Sequence, residues 1–267
     1  MRIQLSLQCR PGSRIPFNYQ YELSSWVYRT LAQADPAFAE WLHAQGYSLE
    51  GKKRFKFFTF SHLQLEPPFR PEPQRRAISL DSGRARLTLS FLLDDTLEHF
   101  VGGLFRQQAF GLGNPQFYPA DFSVVSVEIL PRPVFTSTMR FRTLSPVCLG
   151  TAIPGNPHAQ YLSPLDDGYE QLLLQNLSHK FATAKHYAPA GAQAAGNGLV
   201  PRFELLSEPR KKGVTLKAHT PQETHVVGYT FDFALTAPPE LLETGYYAGF
   251  GEKNAQGFGC VEGRVGV

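Results

Sequence analysis

Long apolar runs are absent. No stretch of the 267-residue chain approaches the roughly 18–20 apolar residues that a helical membrane span needs. The opening MRIQLSLQCRPGSR has no continuous apolar segment either, and reads as mature sequence rather than a secretory signal. Cysteine is scarce: Cys9, Cys148 and Cys260 are odd in number, far apart, and form no CxxC. That argues against a disulfide framework and a zinc site, and predicts a reducing, cytoplasmic setting with no membrane partner. The eight histidines never fall into HxxxH or HExxH spacing, so no metal site is expected. No GK[ST] closes a Walker loop, no GxSxG elbow occurs, and no DxD or ExK nuclease pattern stands out. Charge of one sign is weak as well. The formal net charge of +3 permits a nucleic-acid partner without demanding one. What is present is 42% hydrophobic and 18% charged, which supplies a core and excludes a disordered chain. The length suits one large domain or two of about 130 residues.

Alternation marks the first strand. In Arg2–Cys9, Ile3, Leu5, Leu7 and Cys9 share one face, with Arg2, Gln4, Ser6 and Gln8 on the other. Pro11, Gly12 and Pro16 then break the chain. Asn18 is a candidate N-cap for a helix carrying Leu23, Trp26, Val27 and Leu31. Asp35-Pro36 starts a short second helix, with Gly46 as its C′ residue. Phe55–Ser61 and Ala85–Phe91 read as strands, Asp94 or Asp95 as the cap of a third helix, and Phe122–Leu130 as a closing strand. The order β-α-β-β-α-β is the ferredoxin-like arrangement. Pro131-Arg132-Pro133 interrupts the pattern, which then recurs. Thr138–Leu144 is strand-like and Tyr169–Phe181 helical, carrying Leu172, Leu173, Asn176, Leu177 and Lys180. Gly191–Gly198 reads as a small-residue loop. Phe203–Leu206, Gly213–Ala218 and His225–Leu235 read as strands and Pro238–Thr244 as a short helix. The expectation is an α+β chain of two tandem ferredoxin-like (RRM-like) domains, residues 1–130 and 136–267.

Four places could carry chemistry. The segment Gly245–Gly259 holds Gly249, Gly251, Gly257 and Gly259 around Lys253 and Asn254. Repeated glycine admits positive φ and lets backbone N–H groups approach a phosphate; it also serves any tight turn before a last strand. His43 falls in the last turn of the second helix, where the dipole favours an imidazolium, either for chemistry or simply to complement the helix end. Tyr28 lies beside the apolar stripe of the first helix and either packs its ring or turns its hydroxyl toward His43. Gly51-Lys52-Lys53-Arg54-Phe55-Lys56 is a basic run interleaved with aromatics, a combination suited to single-stranded nucleic acid. Arg210-Lys211-Lys212, with Lys217, forms a second basic cluster; such runs are also commonly solvated faces.

Together these residues resemble a family. Pro16-Phe-Asn-Tyr-Gln-Tyr-Glu-Leu23, Val27-Tyr28, Trp41-Leu-His43 with Gly46-Tyr47, and Lys56-Phe-Phe-Thr-Phe-Ser61 carry the likeness in the first half. Thr143-Leu-Ser-Pro146, Asn176 with Lys180, and Gly249-Phe-Gly-Glu-Lys-Asn-Ala-Gln-Gly-Phe-Gly259 carry it in the second. The chain is similar to the CRISPR-associated endoribonucleases that cut repeat transcripts into guide RNAs, within the repeat-associated mysterious protein superfamily.

The resemblance implies a metal-independent reaction without cofactor. The 2′-hydroxyl beside the scissile phosphate attacks it, leaving a 2′,3′-cyclic phosphate and a 5′-hydroxyl. Tyr28, His43 and Lys56 fall where active members carry Tyr, His and Lys. The implied RNA contacts are Lys52, Lys53, Arg54, Gly249, Gly251, Lys253, Asn254, Gly257, Gly259, Lys211 and Lys212. The implied partner is CRISPR repeat RNA, with other CRISPR effector subunits and a homodimer as further associations left open. The alternative is a catalytically inactive guide-RNA-binding subunit of an effector complex.

Overall fold

The computed structural model describes residues 1–49, 53–113, 120–152, 155, 159–187, 199–218 and 220–264. In its first half β1 (Arg2–Cys9), β2 (Phe58–Phe60), β3 (Arg84–Phe91) and β4 (Ala120–Ile129) form an antiparallel sheet in the order β4-β1-β3-β2. A short strand, Ala109–Leu112, is added beside β4. Leu5 pairs with Leu87 on one side and Val127 on the other. Helices α1 (Gln20–Ala34), α2 (Pro36–Ala44) and α3 (Asp94–Arg106) carry the partners of this face. Leu23, Trp26, Val27, Leu97 and Phe100 join Ile3, Leu5 and Leu7 in one buried core.

The second half repeats the topology. Strands β5 (Thr138–Thr143), β6 (Arg202–Leu205), β7 (Asp232–Thr236) and β8 (Val261–Arg264) pair in the order β6-β7-β5-β8, all antiparallel. Helices α4 (Tyr169–Tyr187) and α5 (Pro239–Ala248) complete it. A hairpin of Arg210–Leu216 and Thr224–Thr230 is inserted before β7. In both sheets the order is fourth, first, third, second, so the chain holds two ferredoxin-like units in tandem. Pro131 and Pro133 lie in the connection between β4 and β5. Among the described residues no helix is long and apolar enough to cross a membrane. All three cysteines are free and buried.

Several local expectations give way to longer-range partners. Asn18 does not cap α1: the N-cap position is Tyr19, without a side-chain cap, while Asn18 Oδ1 accepts from the Thr215 N–H at 3.3 Å. Asp94 and Asp95 lie inside the first turn of α3 rather than at its cap, where their charge still complements the helix dipole. Phe55–Ser61 is not one strand. It divides at Phe57 (φ 53°), so that Lys53–Phe55 pairs with Tyr47–Leu49 while Phe58–Phe60 joins the main sheet. His225–Leu235 divides likewise at Phe231, and α4 runs two turns past Phe181. The predicted loop Gly191–Gly198, with Lys52, lies outside the described residues.

The second half covers part of the polar face of the first sheet, around Arg2 and Ser90. Arg2 is buried there: Nη1 donates to Val261 O and Nη2 to Tyr246 O, both at 2.6 Å, and the guanidinium lies 3.5 Å from the Tyr246 ring centroid. Carbonyl dipoles and a π face thus replace its hydration. Helix α4 crosses the same seam. Tyr169, Leu173 and Leu177 belong to the second core, and Ala184, two turns on, packs into the first.

Candidate active site

Asp35 starts α2 by accepting the Phe38 N–H at 2.9 Å, with Pro36 in the first turn. Gly46 (φ 64°) ends it and returns its N–H to Trp41 O at 2.9 Å. A Cβ on Gly46 would lie 2.6 Å from Phe55 O and 2.9 Å from the Lys56 side chain. Glycine therefore ends the helix and also clears the path of Lys56. The Lys56 ammonium donates to Leu42 O, and to His43 O at 2.8 Å, while Arg54 Nη1 donates to Ala44 O at 3.2 Å. The last carbonyls of α2 are thus served by two cations from the following hairpin. Complementing the helix end, the structural role considered for His43, falls to Lys56 and Arg54. The imidazole is left exposed.

Tyr28, on α1, meets His43 edge to face, with ring centroids 5.0 Å apart at 88°. Its other neighbour is Phe58, at 5.6 Å. Burial pushes the Tyr28 phenol well above its usual pKa, which suits a hydroxyl that donates rather than one that ionises. Burial also lowers Lys56, to about 8, with a smaller push from Arg54. Among the described residues two of the three ammonium hydrogens of Lys56 have acceptors, leaving one for a ligand. The three residues singled out for chemistry therefore gather at one point.

They border a cleft of about 710 Å³ between the halves. Lys53 and Arg54 join Lys56 along it, and Lys217 and Lys253 face them from the second half, with Glu252 among them. Such an excess of cations focuses positive potential where a phosphodiester chain could lie. Lys211 and Lys212 lie outside this lining, in the exposed start of the first hairpin strand; Lys217, just past the end of that strand, reaches the cleft.

The glycine-rich loop forms another wall, and its glycines answer to the protein itself. A Cβ on Gly251 (φ 68°) would lie 2.5 Å from Cys148 O, and one on Gly257 (φ 84°) 2.6 Å from the Phe60 ring. Gly249 and Gly259 face Asn254 and Phe250 in the same way. What their missing side chains admit is neighbouring protein atoms. Asn254 spans the loop, its Nδ2 donating to Phe250 O and Phe258 O at 3.0 Å. Ser24 Oγ and Thr59 Oγ1, from the first half, hold Ala255 O and Phe258 O.

Lys180 completes the wall. It is 1% exposed, and its Nζ donates to Gly249 O at 2.5 Å, Gly251 O at 2.6 Å and Asn254 Oδ1 at 2.7 Å. Burial lowers its pKa to about 7, against the pull of Glu252. The sequence set Lys180 beside Asn176 in the family resemblance without giving it a task. The available signal was a lysine at helical spacing with Leu173, Asn176 and Leu177.

The descriptions of the CRISPR-associated protein Cas6 N-terminal and C-terminal regions match residues 14–123 and 130–263. The chain belongs to the Cas6 family. It is 31% identical to the CRISPR-associated endoribonuclease Cas6 1 of Methanocaldococcus jannaschii, over 98% of this chain and 92% of that one. It is 25% identical to the CRISPR-associated endoribonuclease Cas6 of Pyrococcus furiosus, over 93% of this chain and 83% of that one. The solved structure of a Cas6-related gene product from Pyrococcus furiosus superposes with a TM-score of 0.80 at 22% identity, covering 99% and 98% of the two chains. That likeness extends to the fold, two tandem ferredoxin-like units.

Proposed function

We propose that this Cas6 protein binds CRISPR repeat RNA in the cleft and cuts it, with the 2′-hydroxyl of the nucleotide before the cut as nucleophile. The observation that carries the reading is the meeting of Tyr28, His43 and Lys56 on a cation-lined wall. The 2′-oxygen forms a bond to phosphorus as the bond from phosphorus to the 5′-oxygen breaks. One proton leaves the 2′-hydroxyl and another reaches the 5′-oxygen, giving a 2′,3′-cyclic phosphate and a 5′-hydroxyl. His43 is the proton-transfer group, since an imidazole can both take and give a proton and the exposed ring lines the cleft. Tyr28 packs against that ring and orients it, its hydroxyl staying protonated. Lys56 offers its remaining N–H to the charge that develops on the phosphate. Lys53, Arg54 and Lys253 hold the flanking backbone, and the loop glycines shape the wall.

The reaction asks nothing of a metal. The test is single-turnover cleavage of the source organism's own CRISPR repeat RNA in EDTA, with and without a 2′-deoxy nucleotide before the cut. Full cleavage of the ribose substrate with none of the deoxy substrate supports the reading. Cleavage that requires Mg²⁺, or cutting of the deoxy RNA, overturns the mechanism. Tight binding without cutting of either would make the protein a guide-RNA-binding subunit.

A further inference from the structure

The basic run beside Tyr28 and His43 carries an aromatic ring that the fold supports from behind. Phe55 falls between Arg54 and Lys56, is half-buried and lines the cleft. Its ring lies nearly parallel to that of Phe57, with centroids 5.7 Å apart at 15°. Phe57 in turn meets Tyr47 at 5.1 Å and 32°. Trp41 and Tyr187 approach Tyr47 edge-on, at 4.9 and 5.0 Å, and fix the far end of this column. Phe57 and Tyr47 are buried, so Phe55 is the accessible end. Among the described residues Phe57 is its one aromatic neighbour. The backbone adds a second observation. Phe57 has φ 53°, where a bulky residue is strained and glycine is the natural choice. The ring kept there at that cost is the one on which Phe55 rests.

On the reading that the cleft holds RNA, we propose that Phe55 is a stacking platform for one unpaired base beside the scissile phosphate. The neighbours define the occupant. Lys53, Arg54 and Lys56 offer cations to a phosphodiester chain, and Phe55 offers a flat apolar face among them. Cations interleaved with an aromatic ring suit a single strand, whose bases are free to leave one another and stack on protein. Lys56 follows Phe55 in the chain and brings its ammonium to His43 O, so the stacked base belongs to a nucleotide next to the cut. A ring already held by Phe57 and Tyr47 loses little freedom when a base arrives. Every base has a π face, so the platform selects for an unpaired nucleotide at this place rather than for one sequence.

The experiment titrates the repeat RNA blocked by a 2′-deoxy nucleotide before the cut, with the base removed in turn at each nucleotide flanking the cut. Wild-type protein should show one position at which losing the base weakens binding about 10-fold, while exchanging it for another base changes little. Phe55→Leu should weaken binding of the parent RNA about 10-fold and of that abasic RNA no further. The salt dependence should stay as in wild type, because a stack neutralises no phosphate. Phe55→Tyr, which keeps the π face, should bind like wild type. One arm needs no variant: 5-iodouridine at the sensitive position, irradiated in the wild-type complex, should attach to Phe55. Equal losses for Phe55→Leu on parent and abasic RNA, attachment to another residue, or the absence of any base-sensitive position beside the cut overturns the proposal. If the wild-type protein neither binds nor cuts the parent RNA, the reading beneath it fails instead.

Discussion

Lys56 and Lys180 are both lysines whose pKa burial lowers, and they face the same cleft from different halves. Lys180 has three acceptors for three hydrogens and almost no exposure. It is a cross-brace, and nothing is left over for a substrate. Lys56 has two acceptors, both carbonyls at the end of α2, and keeps contact with solvent. A perturbed pKa therefore does not by itself mark a reactive lysine; the count of unsaturated donors does. The same contrast separates the two halves. The first supplies titratable side chains near a helix end, and the second supplies a rigid wall of backbone held from beneath.

Four measurements would break or sharpen that contrast. His43→Ala should lower the single-turnover cleavage rate about 10²–10⁴-fold while leaving RNA affinity nearly unchanged. A rate equal to wild type would remove His43 from the reaction. Lys180→Met strands three buried acceptors and should cost about 3 kcal/mol in urea unfolding, with affinity falling as the loop loosens. An unchanged stability would show that the loop stands without its brace. Gly251→Ala combines positive φ with a Cβ 2.5 Å from Cys148 O and should cost about 2 kcal/mol, read in the same titration. If it instead left stability untouched and weakened only RNA binding, the glycine would be serving the ligand after all. The smallest effect concerns pH. Lys56 is charged below a pKa of about 8 and loses its proton as pH rises through that value, so the cleavage rate should decline above it. At pH 9 about one-tenth of the ammonium form remains, and Lys56→Arg, charged throughout, should show no such decline.

Much of the frame was legible because its causes are local. The alternation of Arg2–Cys9 gave β1 its bounds and its buried face, and Asp35-Pro36 with Gly46 gave α2 both ends. The gathering of Tyr28, His43 and Lys56 was visible as residue types at known places, though their geometry was not. What escaped has distant causes. Asn18 looked like a cap because the partner that claims it, Thr215, is far along the chain. The break at Phe57 follows from two different pairings, one with Tyr47–Leu49 and one with β3, and aromatic content alone reads as a single strand. Lys180 finds its acceptors some seventy residues later in the glycine-rich loop, and no periodicity in α4 announces them.

The Arg2 contacts bear on how the protein is made. Arg2 is synthesised well before the groups that hold it. The carbonyls that hold its guanidinium belong to Tyr246 and Val261, which follow 244 and 259 residues later. Until then the charge can only be hydrated, so the first ferredoxin-like unit matures with the part of its sheet around Arg2 open to water. Nascent chains arrested before α5 should therefore display that region, and the cleft between the halves takes shape only once the second half has been made.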